Sequence, residues 1–326
     1  MKLGSLGDIV HTLPAASALR ESFPRAQIDW LIDRTWLPLL EGNADINQAI
    51  PLRRGSLSDH WRCIRRLRAG RYECVLDFQS LYKSAMLAMA SGAPRILGFE
   101  RKYAREGVAA LFYSDEIAPR GEHKVEHNLS LAEAAGAQMG AIRFPICISE
   151  AAREWAAAEL ANRGLRDFFV LNPGGGWKSK CWPPERFGEL HRRIAQRTGW
   201  SGIVSFGPGE ENLANEVASA AGDCPPVLLP MDLPQLIAVL ARARIVVAAD
   251  TGPLHLAAAL GTPVVGLYGP TDPARNGPYA SASIVLRNAR AEETNYERSS
   301  KYSSAMLSIS VAQVEAAVEQ CPGPCE

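Results

Sequence analysis

The run Asp250-Thr-Gly-Pro-Leu-His255 stands between an apolar stretch, residues 245–249, and the helical pattern of residues 256–260. It reads as a buried strand, a tight turn and a helix, with a carboxylate, a hydroxyl and free N–H groups at the turn. Open α/β folds bind ligands at the carboxyl ends of their strands, and a helix N-terminus attracts phosphate. His255, one turn into the helix, serves either as a ligand contact or as a structural hydrogen-bonding residue. A second unit follows at once, the short strand of residues 262–268 ending in Gly269-Pro-Thr-Asp-Pro273. Upstream, Leu171-Asn-Pro-Gly-Gly-Gly176 ends a strand in three glycines, followed by Lys178 and Lys180. A glycine-rich turn with lysines suits a phosphate, although the Walker pattern is absent. Phe206-Gly-Pro-Gly-Glu-Glu211 places Glu210 where ribose hydroxyls could be met, or where an acid simply favours a helix start.

The N-terminal half offers a different chemistry. Gly4-Ser-Leu-Gly-Asp8 opens a helix, and Asp8 in its first turn is either a dipole-stabilised carboxylate or a working one. Trp61-Arg-Cys-Ile-Arg-Arg-Leu-Arg-Ala-Gly-Arg71 carries five arginines in eleven residues. Such a run describes a solvated helix face, or a set of guanidinium forks for phosphate and carboxylate groups. Residues 77–84, Asp-Phe-Gln-Ser-Leu-Tyr-Lys-Ser, form another strand-to-helix junction and offer Asp77, Gln79 and Lys83. Gly98-Phe-Glu-Arg-Lys102 adds Arg101, and Arg105-Glu106 follows.

The elements that must carry these groups alternate. Apolar segments at 28–32, 74–77, 168–171, 203–206, 227–229, 245–249 and 264–268 are separated by helical patterns, which argues for parallel sheets with crossover helices. At 326 residues the chain suits two domains. An Ala-rich helix over 149–163, after a Pro-containing segment, puts the connection near residue 150. The helical pattern of residues 311–320 lies beyond the last clear strand and could dock on either domain. Residues 1–3 are too short for the buried strand that normally precedes such a glycine turn. Either the true start lies upstream, or the first domain lacks most of a central strand and is weakened.

Several function classes drop out. Lys+Arg and Asp+Glu both number 35, so no global charge draws the chain to nucleic acid or to a membrane, although charge is clustered locally. Seven scattered cysteines suggest reduced thiols in the cytosol. Cys321-Pro-Gly-Pro-Cys325, the one suggestive spacing, reads as a frayed tail. There is no stretch long and apolar enough to span a membrane and no signal-peptide core. No HExxH, CxxC or Asp-x-Asp loop supports a metal, no G-x-S-x-G supports a serine nucleophile, and no G-x-G-x-x-G opens the first domain.

Together these motifs resemble the ADP-heptose:lipopolysaccharide heptosyltransferases, glycosyltransferase family 9, from Gly4 to about Val314. The most specific parts are Gly4-Ser-Leu-Gly-Asp-Ile-Val-His-Thr-Leu-Pro14, Asp250-Thr-Gly-Pro-Leu-His-Leu-Ala257 and Leu267-Tyr-Gly-Pro-Thr-Asp-Pro273. Residues 72–84, residues 98–106 and Lys180-Cys-Trp-Pro183 resemble the heptosyltransferase I branch, which adds the first heptose to Kdo-lipid A. The resemblance implies an α/β fold of the GT-B type, two Rossmann-like domains with parallel sheets facing a central cleft: residues 1–150 for the acceptor, and residues 151–326, with the C-terminal helix, for the nucleotide sugar. It implies a metal-independent, inverting transfer without a cofactor, ADP-heptose being a substrate. Asp8 is then the general base, Lys180 and the N–H groups of Thr251, Gly252 and Leu254 meet the diphosphate, and Pro253 has no N–H to give. Asp250 holds heptose hydroxyls, His255 lies beside it, Glu210 contacts ribose and the Met231 backbone meets adenine. Arg62, Arg65, Arg66, Lys83, Asp77, Gln79 and Arg101 fall to the acceptor, a Kdo-lipid A type molecule with carboxylate and phosphates. Where some relatives carry hydroxyl residues, this chain has glycines at 174–176, which leaves phosphate contacts to the backbone. The resemblance further implies a monomer in the cytoplasm, peripheral to the inner face of the membrane. Two alternatives remain: transfer to a protein hydroxyl of autotransporter type, and a non-catalytic nucleotide-sugar-binding protein.

Overall fold

The computed structural model describes residues 1–321 except 54, 280, 281 and 297. Cys325, and with it the spacing of the C-terminal cysteine pair, lies outside the described residues. The chain forms two compact units, Met1–Cys147 and a second that begins at Ile148. The division falls in the extended segment just before Ser149, whose hydroxyl accepts the N–H of Ala152 and caps the helix Glu150–Asn162.

In the first unit, β1 (Asp29–Asp33) pairs in parallel with β2 (Gln48–Leu52), and β3 (Cys74–Asp77), β4 (Arg95–Phe99) and β5 (Asp115–Ile117) form a second parallel set. Residues 1–3 lie between the two sets. On one side the Lys2 N–H donates to Leu31 O and the Asp33 N–H to Leu3 O, both at 3.2 Å. On the other the Phe78 N–H donates to Met1 O at 3.1 Å, and the Met1 ammonium to Leu76 O. Three residues thus hold the central place, with β1 and β2 stepping outward on one side and β3 to β5 on the other. Leu3, Leu31, Ile50, Leu52, Cys63 and Leu67 pack below them, and Phe78, Leu97, Phe99 and Leu131 on the opposite face.

The second unit is a six-stranded parallel sheet. Its strands are β6 (Phe168–Asn172), β7 (Ser201–Phe206), β8 (Val227–Pro230), β9 (Val246–Ala249), β10 (Val264–Tyr268) and β11 (Ser283–Arg287), in the order β11-β10-β9-β6-β7-β8. The chain starts in the middle, walks outward to β8, returns to β9 and walks out the other way. Strand order therefore reverses between β6 and β9, where doubly wound sheets open a crevice for ligands. β6, β9 and β10 are buried at every residue, and their unbroken apolar runs follow from helices covering both faces.

Phe169, Leu171, Trp182, Phe187, Leu190, Val247 and Val265 build this core. The helix Val311–Gln320 docks here, burying Val311, Val314, Ala317 and Val318. Trp182 is fully buried and donates from Nε1 to Ile309 O at 2.9 Å, so the turn just before it is anchored to the core. Among the described residues no helix is long and apolar enough to cross a membrane.

Candidate active site

Asp250 follows β9 directly, at the reversal of strand order, and its side chain is almost fully buried. Oδ1 accepts from Asn276 Nδ2 at 2.9 Å and lies 3.1 Å from His255 Nε2. Oδ2 forms an ion pair with Lys180, which comes from the short turn Lys178–Lys180 after β6. Burial works to raise the Asp250 carboxyl, but the His255 hydrogen bond and the Lys180 charge outweigh it and hold the group well below the ordinary carboxylate range. The Lys180 ammonium also lies 4.6 Å from the centre of the Trp177 ring. Thr251 Oγ1 donates to Asn172 Oδ1 at 3.3 Å, which ties this turn to the end of β6. The helix Gly252–Ala259 then starts with N–H groups that have no partner inside the helix.

Neighbouring strand ends carry the remaining groups expected for a nucleotide sugar. Glu210 ends the turn after β7, and its Oε2 accepts the Gly207 N–H at 2.8 Å. Gly174, on the turn after β6, lies so close to this carboxylate that a Cβ there would overlap it, and a Cβ on Gly175 would stand 2.7 Å from Cys181 Sγ. Close approach explains these two glycines. Met231, half-buried, follows β8. The order along the sheet edge is thus Met231, Glu210, the glycine turn, Asp250. With parallel strands about 4.8 Å apart, the row spans about 14 Å. That suits a base, a ribose, a diphosphate and a sugar laid end to end. Trp177 Nε1, Ser179 Oγ, Thr271 Oγ1 and Asn276 Oδ1 are buried without a hydrogen-bond partner, an unusual set of unmet polar atoms for a protein interior.

In the first unit Asp8 lies in the helix Leu6–Val10, at the carboxyl edge of its sheet. Ser5 donates to Asp8 Oδ2 from both its N–H and its hydroxyl, each at 3.1 Å. Oδ1 lies 3.8 Å from Lys2 Nζ, which itself donates to Phe78 O at 3.0 Å. One oxygen caps the helix start, and the other faces Lys2. Burial acts to raise its carboxyl, yet the Lys2 charge and the two Ser5 hydrogen bonds bring it below the usual range, with Arg105 adding to this. Thr12 fixes the motif from behind, donating to Asp8 O at 2.8 Å and accepting from Asn128 Nδ2 at 3.0 Å.

The remaining acceptor-side expectations fare differently. Asp77 is fully buried, and its carboxylate accepts from the N–H groups of Gln79 and Ser80, from Ser84 Oγ and from Tyr113 OH. Gln79 is buried and accepts the Leu3 N–H on Oε1 at 3.0 Å. Asp77 thus holds the turn after β3 and Tyr113, while Gln79 ties that turn to Leu3. Lys83 and Arg101 are exposed. Arg62, Arg65 and Arg66 lie on the outer side of the helix Leu57–Ala69, which descends from the carboxyl edge, so the run leads away from Asp8. Arg68 already reaches Ala90 O, at the far end of the next helix.

Two features escape a sequence reading. Lys2 acts on Asp8 although its position in a truncated-looking segment gives no signal. Asp33, Arg34, Thr35 and Arg53 line a cavity of about 580 Å³ beyond the ends of β1 and β2, and an unrecognised β2 hides its basic wall. Among the described residues no group of three His, Cys, Asp or Glu could hold a metal ion.

The family model for glycosyltransferase family 9 (heptosyltransferase) matches residues 60–306. Lipopolysaccharide heptosyltransferase 1 of Pseudomonas aeruginosa is 31% identical over 297 residues, covering 88% of this chain and 82% of that protein. The protein of the same name from Escherichia coli K12 is 31% identical over 314 residues, 90% of this chain and 94% of its own. Among solved structures, the E. coli heptosyltransferase WaaC with ADP superposes with a TM-score of 0.79 at 27% identity, covering 98% of both chains. The family 9 glycosyl transferase of Veillonella parvula gives a TM-score of 0.86 at 24% identity, over 98% of this chain and 95% of the other.

Proposed function

We propose, from the premise that this chain belongs to glycosyltransferase family 9 and is a glycosyltransferase of the GT-B α/β type, that it moves a heptose from ADP-heptose to the Kdo region of the lipopolysaccharide inner core. The reaction is inverting and needs no metal. The enzyme works as a monomer at the inner face of the cytoplasmic membrane. The observation that carries the reading is the row of strand ends in the second unit, Met231, Glu210, the 174–176 glycines and Asp250, long enough for an ADP-sugar and ending in an ionised carboxylate paired with Lys180. The relatives named above support it, one of them solved with ADP.

Adenine meets the backbone at Met231 and ribose meets Glu210. The ionised Asp250 accepts hydrogen bonds from heptose hydroxyls. The acceptor hydroxyl oxygen attacks the anomeric carbon from the face opposite the diphosphate, and its proton passes to Asp8. As the new C–O bond forms, the bond to the diphosphate breaks and ADP leaves with the electron pair. Lys180 and the N–H groups of Thr251, Gly252 and Leu254 stabilise the charge that grows there. A low carboxyl pKa keeps Asp8 ionised and ready at neutral pH, and the acceptor hydroxyl becomes acidic enough to yield its proton only as it bonds to carbon. The basic cavity beside Arg34 and Arg53 suits the acceptor's anionic groups.

A transfer assay with ADP-heptose and de-heptosylated lipopolysaccharide, read by product mass, tests the proposal. Product of one added heptose is expected. Asp8→Ala abolishes it and leaves ADP-heptose binding intact; unchanged turnover in that variant removes Asp8 from the role of base.

A further inference from the structure

The arginine run that leads away from Asp8 shares its helix with two large apolar side chains in water. In the helix Leu57–Ala69, Cys63 and Leu67 are buried against the core. At 3.6 residues per turn, Leu57, Trp61, Arg65 and Arg68 fall in one stripe turned away from that core, flanked by Arg62 and Arg66. Leu57 is 82% and Trp61 68% exposed. Arg62 is offset by Asp59 at 2.9 Å, whereas Arg65 and Arg66 meet no acidic group among the described residues. A face that only needs solvating has no use for an exposed Leu and Trp one turn apart.

We propose that this face is a docking surface for an anionic lipid bilayer. Tryptophan is favoured at a membrane interface. A helix with apolar residues beside an arginine-rich flank lies in that interface, and anionic headgroups attract such a flank. The formal net charge of the whole chain is zero, so the attraction is local and orients the protein. A second copy of the chain is a poor occupant, because an isologous contact sets the arginine stripe against itself. Leu57 marks the helix end nearest the carboxyl edge of the first sheet, the edge on which Asp8 stands. The contact therefore brings the base side of the first unit towards the lipid. This deepens the reading of a lipid-linked acceptor, and its value to catalysis rests on that reading.

Vesicle flotation tests the docking without catalysis, with phosphatidylcholine alone and phosphatidylcholine mixed with phosphatidylglycerol. The protein is expected to float with the mixed vesicles, not with phosphatidylcholine alone, and to be released by salt. Leu57→Gln/Trp61→Gln weakens the association about tenfold or more, and Arg65→Glu/Arg66→Glu does so to a similar degree, about tenfold. The apolar double variant keeps its turnover on a deacylated, water-soluble acceptor and loses turnover on the acylated acceptor embedded in mixed vesicles. Absence of flotation with mixed vesicles overturns the proposal, as does flotation of both double variants at the parent level. A dimer that these substitutions dissociate also overturns it. Flotation without any heptose transfer leaves the docking standing and removes the transfer reading instead.

Discussion

Asn276 donates from Nδ2 to Asp250 Oδ1 at 2.9 Å across 26 residues of sequence. The Asp250 carboxylate is thus held by donors from three separate segments: Lys180 after β6, His255 in the helix after β9, and Asn276 in the short helix Pro273–Asn276 after β10. The Asn276 backbone is fixed as well, since its carbonyl accepts from Tyr268 OH at 3.1 Å. The amide can face Asp250 only with its nitrogen, which leaves the buried Oδ1 without a partner on its other side.

Loss of this donor should be felt in donor-sugar kinetics. Asn276→Ala is expected to lower kcat/KM for ADP-heptose about tenfold, in keeping with one hydrogen bond to a charged group. Asn276→Asp, which faces one ionised carboxylate with another, is expected to cost more. Steady-state kinetics at varied donor concentration checks the order parent, Ala, Asp; equal values for all three would leave Asn276 without influence on the carboxylate.

Gly174→Ala puts a methyl group into the Glu210 carboxylate. Its backbone conformation is open to any residue, so the fold survives and Glu210 gives way, losing the Gly207 N–H. The expected result is a KM for ADP-heptose raised about tenfold with kcat little changed, because a contact made equally in ground and transition states is lost. Calorimetric binding of ADP to the same variant should weaken by a similar factor.

Lys2 lowers the Asp8 carboxyl, whose folded value lies under the ordinary 3.8. Asp8, the proposed base, is therefore ionised at neutral pH and is protonated only as pH falls through its lowered value. Lys2→Met takes away the charge that opposes burial, so the acid limb of kcat/KM should move to higher pH than in the parent. A limb in the same place would show that Lys2 does not act on Asp8.

His191 sits buried beside Phe169, ring centres 5.5 Å apart, and burial lowers its pKa from 6.5 to about 4. Between those values the unfolded chain binds a proton that the folded one refuses. Stability is then full above pH 6.5 and declines as pH falls towards about 4. Urea unfolding over this range should show a steeper decline for the parent than for His191→Phe, which has no proton to bind.

The strand ends of the second unit were legible because their residues are contiguous. Asp250 to His255 is one strand end and one helix start, and Gly174 and Lys180 lie a few residues apart on another. The buried strands β6, β9 and β10 announce themselves as unbroken apolar runs. β2, β4, β5 and β11 do not, because Pro51, Gly98, Asp115 and the polar ends of Ser283 and Arg287 interrupt short edge or near-edge segments. The first unit was less readable. Spacing showed that the arginines share a face, but not that the helix carries them away from the sheet edge. Asp77 and Gln79 looked like ligand groups because polar residues at a strand end do; Tyr113 on Asp77 and Leu3 on Gln79 are contacts far apart in sequence. Lys2 acts through Phe78 and Asp8, which no local pattern reveals.

In the second unit the distance from one strand end to the next is set by backbone hydrogen bonds, which side-chain replacement does not alter. The sheet edge is therefore a ruler whose marks can be rewritten one at a time. On the proposed reading, a different base would be met at Met231 and a different sugar at Asp250 and Asn276, while the glycine turn between them would go on facing the diphosphate. Donor preference would then be modular, a change at one end leaving the register of the strands intact.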